Sequence, residues 1–344
     1  MNKKDILLKL LEADAKKVNA DVVLGELDGA SVIVTGATGL VGLNIVCALN
    51  YYNDNYAKNR IHINALSFSK PSGVISQIFR DKGVVSIFGD LQDYDFVKGI
   101  PLSDCIIHSA GYGQPGKFLD DKIATISLNT SATISLSQRL RENGRFLFLS
   151  SSEIYSGSWN NKNVESGIGN TDPSHTRACY IEGKRAGEAI INALRERGVR
   201  AASARLALAY GPGVKGGDQR VLNQFIEKGI SGEINLLDSG SAMRTYGYIS
   251  DIVTMLLNIL ISNKFSVYNV GGKSTISIKD LSIKIAEKMG VPVNIPSNKA
   301  FMEDAPKMVG LDLSRIENEY GHNEYVDIDY GLNKTIEWIV ANNE

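Results

Sequence analysis

The sequence predicts an α/β fold: a doubly wound parallel sheet with helices on both faces, accompanied by a smaller C-terminal lobe. Three observations predict it. A β-branched run, Val32-Ile33-Val34-Thr35, leads into glycines spaced Gly36-x-x-Gly39-x-x-Gly42, and an apolar helical pattern follows at Leu43, Val46 and Leu49. Strand-like and helix-like stretches alternate through the first two-thirds of the chain, as in successive βαβ units. Two further short apolar runs, Cys105-Ile106-Ile107-His108 and Phe146-Leu147-Phe148-Leu149, have the composition of strands buried on both faces.

Taken in order, the elements begin with an amphipathic helix, where Ile6, Leu7, Leu10 and Leu11 are interleaved with Lys9, Glu12 and Asp14. It forms an N-terminal extension over 1–28, with two places open to it, the body of the protein or a partner subunit. Strands are expected at 31–35, 61–67, 84–88, 105–109, 145–150 and 200–208. Helices are expected at 40–52, 91–98, 117–142 and 177–197. After Gly211-Pro212-Gly213 the pattern loosens, and 213–244 together with 272–344 reads as the smaller lobe. Between those two stretches a helix at 249–262 and a strand at 266–270 return to the main sheet. The nucleotide-binding domain is therefore expected over 29–212 and 245–271.

Composition narrows the function classes. The chain has 344 residues, 43% hydrophobic and 22% charged, enough for a large core in a soluble protein. A net charge of −1 gives no field that would gather nucleic acid or an anionic membrane surface. The N-terminus has no apolar core of a signal peptide, and no run reaches membrane-spanning length. Cys47, Cys105 and Cys179 lack C-x-x-C spacing, which fits a reducing cytoplasm and no structural zinc. The four histidines show no ligand spacing, so no metal is expected. Cys179 reads as a packing residue, and His108 as a residue lining the cofactor cleft.

The chemistry sits in two motifs. In the first, Gly36 permits a tight turn, Gly39 lets backbone approach a pyrophosphate, and Gly42 lets the helix pack close to the strand. The helix N-terminus adds free N–H groups and the positive end of its dipole. In the second, Tyr180-Ile181-Glu182-Gly183-Lys184 puts a phenol and an ammonium on one helical face. A nearby ammonium favours the phenolate, the form a general base needs. Upstream, the strand Phe146–Leu149 ends in Ser150-Ser151-Ser152-Glu153-Ile154-Tyr155, with hydroxyls and one carboxylate at its tip.

Together these residues resemble the extended short-chain dehydrogenase/reductase family, the NAD-dependent epimerases and dehydratases that modify nucleotide sugars on a Rossmann domain. The resemblance covers nearly the whole chain and implies oxidation of a sugar carbon, usually C4, by a tightly held NAD or NADP. It implies that Tyr180 takes the hydroxyl proton, Lys184 holds the ribose, and Ser151, with Ser152 beside it, orients the substrate oxygen. Glu153 separates subclasses, because dehydratases and decarboxylases carry an acid there and simple epimerases usually do not. Ser152-Glu153-Ile154-Tyr155, Arg177-x-Cys179-Tyr180-x-Glu182-Gly183-Lys184-Arg185 and Gly240-x-x-x-Arg244-x-x-x-Tyr248-Ile249-x-Asp251 look most like UDP-glucuronate decarboxylases, and the first of them also like GDP-mannose 4,6-dehydratases.

The same resemblance places Gly36, Thr38, Gly39, Leu40, Val41, Ser67, Ser69, Lys70, Asp90, Leu91, Ser109 and Ala110 at the cofactor, with Tyr180 and Lys184. It places Tyr112, Gln114, Arg177, Arg220, Val221, Arg244 and Lys307 at the nucleoside-diphosphate sugar. Arg244 would neutralise the diphosphate, a task suited to a guanidinium fork. Family members commonly pair as homodimers through the helices expected at 117–142 and 177–197. The chain also departs from the decarboxylase pattern. The loop Gly111–Phe118 replaces a proline-rich one, and Lys307 stands where an arginine meets the sugar carboxylate. Both changes suit a different sugar or a different fate for the 4-keto sugar. The second strand ends Ser67-Phe68-Ser69-Lys70, without the acid that usually bonds the ribose 2′-hydroxyl, which leans toward NADP. The alternatives are a 4-epimerase or 4-ketoreductase, and, in another class, a catalytically silent nucleotide-binding regulator.

Overall fold

A computed structural model describes residues 2–157, 162–296 and 310–343. Its centre is a seven-stranded, wholly parallel sheet. The strands are β1 (Ser31–Thr35), β2 (His62–Ser67), β3 (Val85–Phe88), β4 (Ser103–His108), β5 (Leu140–Ser151), β6 (Arg200–Leu206) and, later in the chain, β10 (Val267–Val270). They lie in the order β3-β2-β1-β4-β5-β6-β10, so the winding reverses between β1 and β4. The expected doubly wound sheet is the one observed.

Alternation along each strand builds two cores. Val32 and Val34 face one side with Cys105, Ile107, Leu147 and Leu149, while Ile33, Ile106, Phe146 and Phe148 face the other. A strand buried on both faces needs a continuous apolar run, which these stretches supply. The first face is covered by α2 (Leu40–Asn55), α3 (Gly73–Asp81) and α10 (Ile249–Ser262). The second is covered by α4 (Tyr94–Gly99), α6 (Lys122–Asn129), α7 (Ser131–Ser137) and α8 (Ala178–Glu196).

The N-terminal helix α1 (Lys3–Asp21) lies on the body of the same chain, against α2, α10 and α13 (Ile328–Asn343). Leu7, Leu10, Leu11, Ala15 and Val18 are buried there. This outer layer explains why α10 is apolar nearly all round: it packs on the sheet and is roofed by α1.

Three expectations about elements need correction. The stretch 117–142 is not one helix. It divides into α5 (Pro115–Asp120), α6 and α7, and 140–142 already belongs to β5. Asp121 is extended and caps α6, its carboxylate accepting from the Ala124 N–H at 2.8 Å. Thr130, at φ −116° and ψ −79°, separates α6 from α7, and its hydroxyl bonds back to the Ile126 carbonyl. The stretch 200–208 divides at Ala207 into β6 and β7 (Leu208–Tyr210), which leaves the main sheet. Helix α3 was not foreseen.

The remaining elements are α9 (Val221–Ile230), β8 (Ile234–Asn235), β9 (Met243–Tyr248), β11 (Ser274–Ser277), α11 (Ile278–Met289), β12 (Val293–Asn294) and α12 (Ser314–Tyr320). Strand β9 pairs parallel with β7 and antiparallel with β11, and β8 pairs with β12.

Candidate active site

The motif residues gather beyond the carboxyl ends of β1, β4 and β5, where the winding reverses and parallel sheets present ligand crevices. Gly36 has φ +64°, and a Cβ there would lie 2.9 Å from the backbone of Ser109 and Ala110. At Gly42 a Cβ would fall 2.4 Å from the Gly36 carbonyl oxygen. Close packing thus requires glycine at both positions and leaves a bare backbone cradle. Gly39 precedes α2, so the N–H groups of Leu40 and Val41 open the helix without intrahelical acceptors. That combination of bare backbone and free donors suits a pyrophosphate.

Side chains lock the cradle's rear wall. The Thr35 hydroxyl lies 2.8 Å from His108 Nδ1 and accepts from the Ala110 N–H at 3.0 Å, while the Ser109 hydroxyl donates to the Thr35 carbonyl. His108 Nε2 lies 3.0 Å from the Leu128 carbonyl. A carbonyl only accepts, so Nε2 carries the proton and Nδ1 accepts from Thr35. Burial pushes the imidazole down to about 4, so it stays neutral. His108 is therefore a satisfied core residue that braces β1 against β4, rather than a residue facing the cleft.

At the end of β2, the buried Ser67 hydroxyl donates to the Ser69 carbonyl at 2.8 Å, and Ser69 and Lys70 are exposed. Past β3, the Asp90 carboxylate accepts from the Gln92 N–H at 2.9 Å, and Leu91 is buried.

Tyr180 and Lys184 lie one turn apart on α8, both buried. The Lys184 ammonium donates to the Leu149 carbonyl at 2.7 Å and sits 5.7 Å from the centre of the Tyr180 ring. Burial pulls it down to about 7. Tyr180 is pushed up to about 12, chiefly by burial, against a lowering hydrogen bond from Ser151. Burial thus opposes the phenolate expected from the Tyr-Lys spacing, and the Lys184 ammonium is engaged by the Leu149 carbonyl.

The Ser151 hydroxyl also accepts from the Glu153 N–H at 3.2 Å, and Ser152 opens the 3₁₀ turn Ser152–Tyr155 that carries Glu153. Glu153 Oε1 pairs with Arg177 Nη2 at 2.5 Å. Burial holds the Glu153 carboxyl above its ordinary range, opposed by the charges of Arg177, Arg244 and His175. Among the described residues its Oε2 is buried with no hydrogen-bond partner.

Phe118, which no motif singles out, is a wall of the site. Its ring stacks on Tyr180 at 4.7 Å and 13°, and the Arg177 guanidinium lies 5.4 Å from its centre. Tyr112 packs against the same cluster. Cys179 is the packing residue expected, buried with Sγ 3.5 Å from the Phe118 carbonyl.

The other residues expected at the substrate come from farther along the chain. Arg220 is held by Asp218 through Nε and Nη2, at 3.0 and 2.5 Å, and Val221 opens α9. Arg244, on β9, donates to the Met243 carbonyl at 2.7 Å, and its charge reaches Glu153. Gln114 accepts from the Gln219 N–H at 3.2 Å, joining the loop after β4 to the loop before α9. Lys307 lies outside the described residues. A second residue that the motifs pass over is Lys215, whose ammonium donates to the Thr38 hydroxyl at 3.0 Å. Among the described residues no group of histidine, cysteine and carboxylate side chains is arranged to hold a metal ion.

Comparison with known proteins follows the same outline. UDP-glucuronic acid decarboxylase 1 of Xenopus tropicalis is 28% identical over 325 residues, covering 92% of this chain and 73% of that protein. UDP-glucuronic acid decarboxylase 6 of Arabidopsis thaliana is 26% identical over 304 residues, covering 88% of this chain and 86% of that one. The structure of epimerase Mth375 from Methanothermobacter thermautotrophicus matches with a TM-score of 0.78 at 18% identity, over 96% of each chain. The dTDP-glucose 4,6-dehydratase DesIV of Streptomyces venezuelae, solved with NAD bound, matches at 0.77 and 20% identity, over 91% of this chain and 98% of that one. The two solved structures share the fold just described, and the model of one family fits residues 32–271. The chain belongs to the NAD dependent epimerase/dehydratase family.

Proposed function

We propose that this chain is an NAD(P)-dependent nucleotide-sugar enzyme that oxidises the sugar C4 hydroxyl and then acts on the 4-keto sugar as a dehydratase or decarboxylase. The observation that carries it is Glu153. A carboxyl group held above its ordinary range, with one free oxygen, stands in the same buried cluster as Ser151 and Tyr180. Epimerisation alone gives such a group little to do. The relatives named as UDP-glucuronic acid decarboxylases support the same class.

The roles are assigned from the family resemblance, supported by where these residues lie. The glycine cradle and the first amides of α2 fit a dinucleotide pyrophosphate, with Asp90 and Leu91 toward the adenine. A nicotinamide held there would supply the acceptor for the C4 hydride. Tyr180 takes the C4 hydroxyl proton, Ser151 orients that oxygen, and Lys184 holds the ribose. In a dehydratase the ketone acidifies the neighbouring C5–H, Glu153 takes that proton as the C6 hydroxyl leaves as water, and the hydride returns to C6. In a decarboxylase the C5 carboxyl group leaves as carbon dioxide, and Glu153 helps position the sugar or manages the proton that C5 gains. Arg177, Arg220 and Arg244 supply cations for the sugar and its diphosphate, beside Tyr112, Gln114 and Val221. Ser69 and Lys70, at a strand end without an acid, favour NADP over NAD. The sugar nucleotide is assigned to the lobe formed by 213–244 and 272–344, and the dinucleotide to 29–212 and 245–271.

One observation favours a second reading, an epimerase or 4-ketoreductase: Arg177 engages Glu153, as it would if that carboxylate were structural. Incubation with a panel of nucleoside-diphosphate sugars, read by mass spectrometry, separates the two. A product lighter by one water or one carbon dioxide supports the proposal. A product of unchanged mass, or a 4-keto sugar made heavier by two hydrogens at the expense of added reduced cofactor, moves the second reading to first place.

We also propose a homodimer in the cytoplasm. The helices on the outer face carry exposed apolar side chains, with Ile123 76% and Ile134 48% exposed, and three unpaired cysteines suit a reducing compartment. No helix among the described residues is long and apolar enough to cross a membrane.

A further inference from the structure

Two groups of cations stand apart in the cleft. Arg177 and Arg244 act on Glu153, and Arg220 on Tyr180. Lys215 instead reaches the glycine turn, its Nζ 3.0 Å from the hydroxyl of Thr38, between Gly36 and Gly39. Among the described residues no carboxylate pairs with Lys215, and the charge of Lys117 repels it. Lys215 is exposed at the mouth of the cleft, so its ammonium can exchange solvent and the Thr38 hydroxyl for an anion bound at the glycine turn.

The backbone that presents Lys215 is fixed. Asn44, one turn into α2, donates through Nδ2 both to the Leu40 carbonyl and to the Pro212 carbonyl, each at 2.9 Å. Val214 is buried, and its carbonyl accepts from the Trp338 indole at 2.8 Å. A Cβ at Gly213 would approach Asn44 Nδ2 to 2.8 Å, so the loop lies directly on α2. Lys117 lies on α5, just past Gln114, whose side-chain oxygen accepts from the Gln219 N–H. The two loops are therefore joined to each other, and each brings one lysine, Lys215 to Thr38 and Lys117 near enough for its charge to act on Lys215.

We propose that Lys215, seconded by Lys117, closes over the glycine turn and holds the cofactor's diphosphate from the side opposite the α2 amides. The assignment rests on the dinucleotide-binding reading above. It makes the loop after β7 a retention clamp, with a charge supplied from outside the glycine motif. Thr38 then serves as a resting partner that gives up the ammonium when the anion arrives.

Binding to the full chain, stripped of copurified nucleotide, tests this without reference to turnover. The ligands are NAD, NADP, ADP-ribose, adenosine monophosphate, UDP, dTDP and GDP, titrated calorimetrically at low and moderate salt. A charge-assisted contact predicts that Lys215→Met weakens ADP-ribose and dinucleotide binding about tenfold or more, with a shallower salt dependence. Lys215→Arg should retain most of the affinity, and adenosine monophosphate should change much less. Lys117→Met, at an exposed position, should weaken ADP-ribose severalfold, and gives an answer even if Lys215→Met disturbs its loop. ADP-ribose binding within twofold of the parent in both Met variants overturns the proposal. A loss confined to UDP, dTDP or GDP also overturns it, since the lysines would then serve the substrate's diphosphate. A parent chain that binds neither dinucleotide refutes the underlying reading, and this assignment with it.

Discussion

Tyr180 is made by its surroundings more than by its motif. Burial between Phe118 and α8 raises the phenol to about 12, and the hydrogen bond from Ser151 offsets part of that. A group in this state loses its proton only when positive charge or a strong acceptor arrives with the ligands. We predict that Tyr180→Phe binds cofactor as the parent does and loses turnover by about 10²–10⁴, the usual effect of removing a general base. Turnover near the parental rate would take Tyr180 out of the mechanism. The Tyr-Lys pair was legible because a helix converts a spacing of four into a shared face. The Arg177–Glu153 pair and the Phe118 stack were not, since each joins separate elements. His108 shows the limit of position as evidence. Cleft residues and core residues both occur at strand ends, and the partners Thr35 and Leu128 that decide between them come from other elements.

Among the elements, α1 carries a titration built into its packing. Asp14 sits on its buried face and accepts from the Tyr248 hydroxyl at 3.1 Å. Lys17, Asp251 and Lys334 act on it from α1, α10 and α13. Burial raises its carboxyl from an ordinary 3.8 to about 7, so the folded chain keeps a proton that the unfolded chain has released. Stability from this group is complete below about pH 4 and is lost as pH rises through 7, at up to about 1.4 kcal/mol per pH unit within that window. We predict that Asp14→Asn, which keeps the neutral form, raises the urea midpoint at pH 8 and leaves it nearly unchanged at pH 4. An equal shift at both values would mean that the aspartate does not titrate in folding. The amphipathic pattern foretold the helix and its apolar face, whereas the surface it covers depends on α2, α10 and α13 arriving together. The stretch 117–142 marks the converse limit. Its apolar spacing is helical in sum, but the extended Asp121 and the break at Thr130 divide it, and side-chain bonds to nearby backbone of the Asp121 and Thr130 kind carry no period.

The whole molecule places one chemistry at one point. The winding reverses between β1 and β4, the glycine turn leaves β1 there, and Ser151 and Glu153 follow from β5. The doubly wound sheet and the motifs at its strand ends were readable, because apolar runs and βα alternation are local signals, whereas the strand order and the point of reversal depend on pairing between distant segments. The proposed homodimer belongs to this scale. Light scattering at micromolar concentration should give twice the chain mass, and replacing Ile123 and Ile134 with glutamate should halve it. A monomer in the parent chain contradicts the assignment. The central claim is that oxidation at C4 is followed by a second proton transfer at Glu153. The most direct measurement compares Glu153→Gln with the parent on the nucleotide sugar that the parent converts, following both the 4-keto sugar and the final product by mass spectrometry. The account predicts that the variant still forms the 4-keto sugar and stops there, with final product reduced by about 10² or more. Final product at the parental rate would contradict it, leaving Glu153 as a structural partner of Arg177.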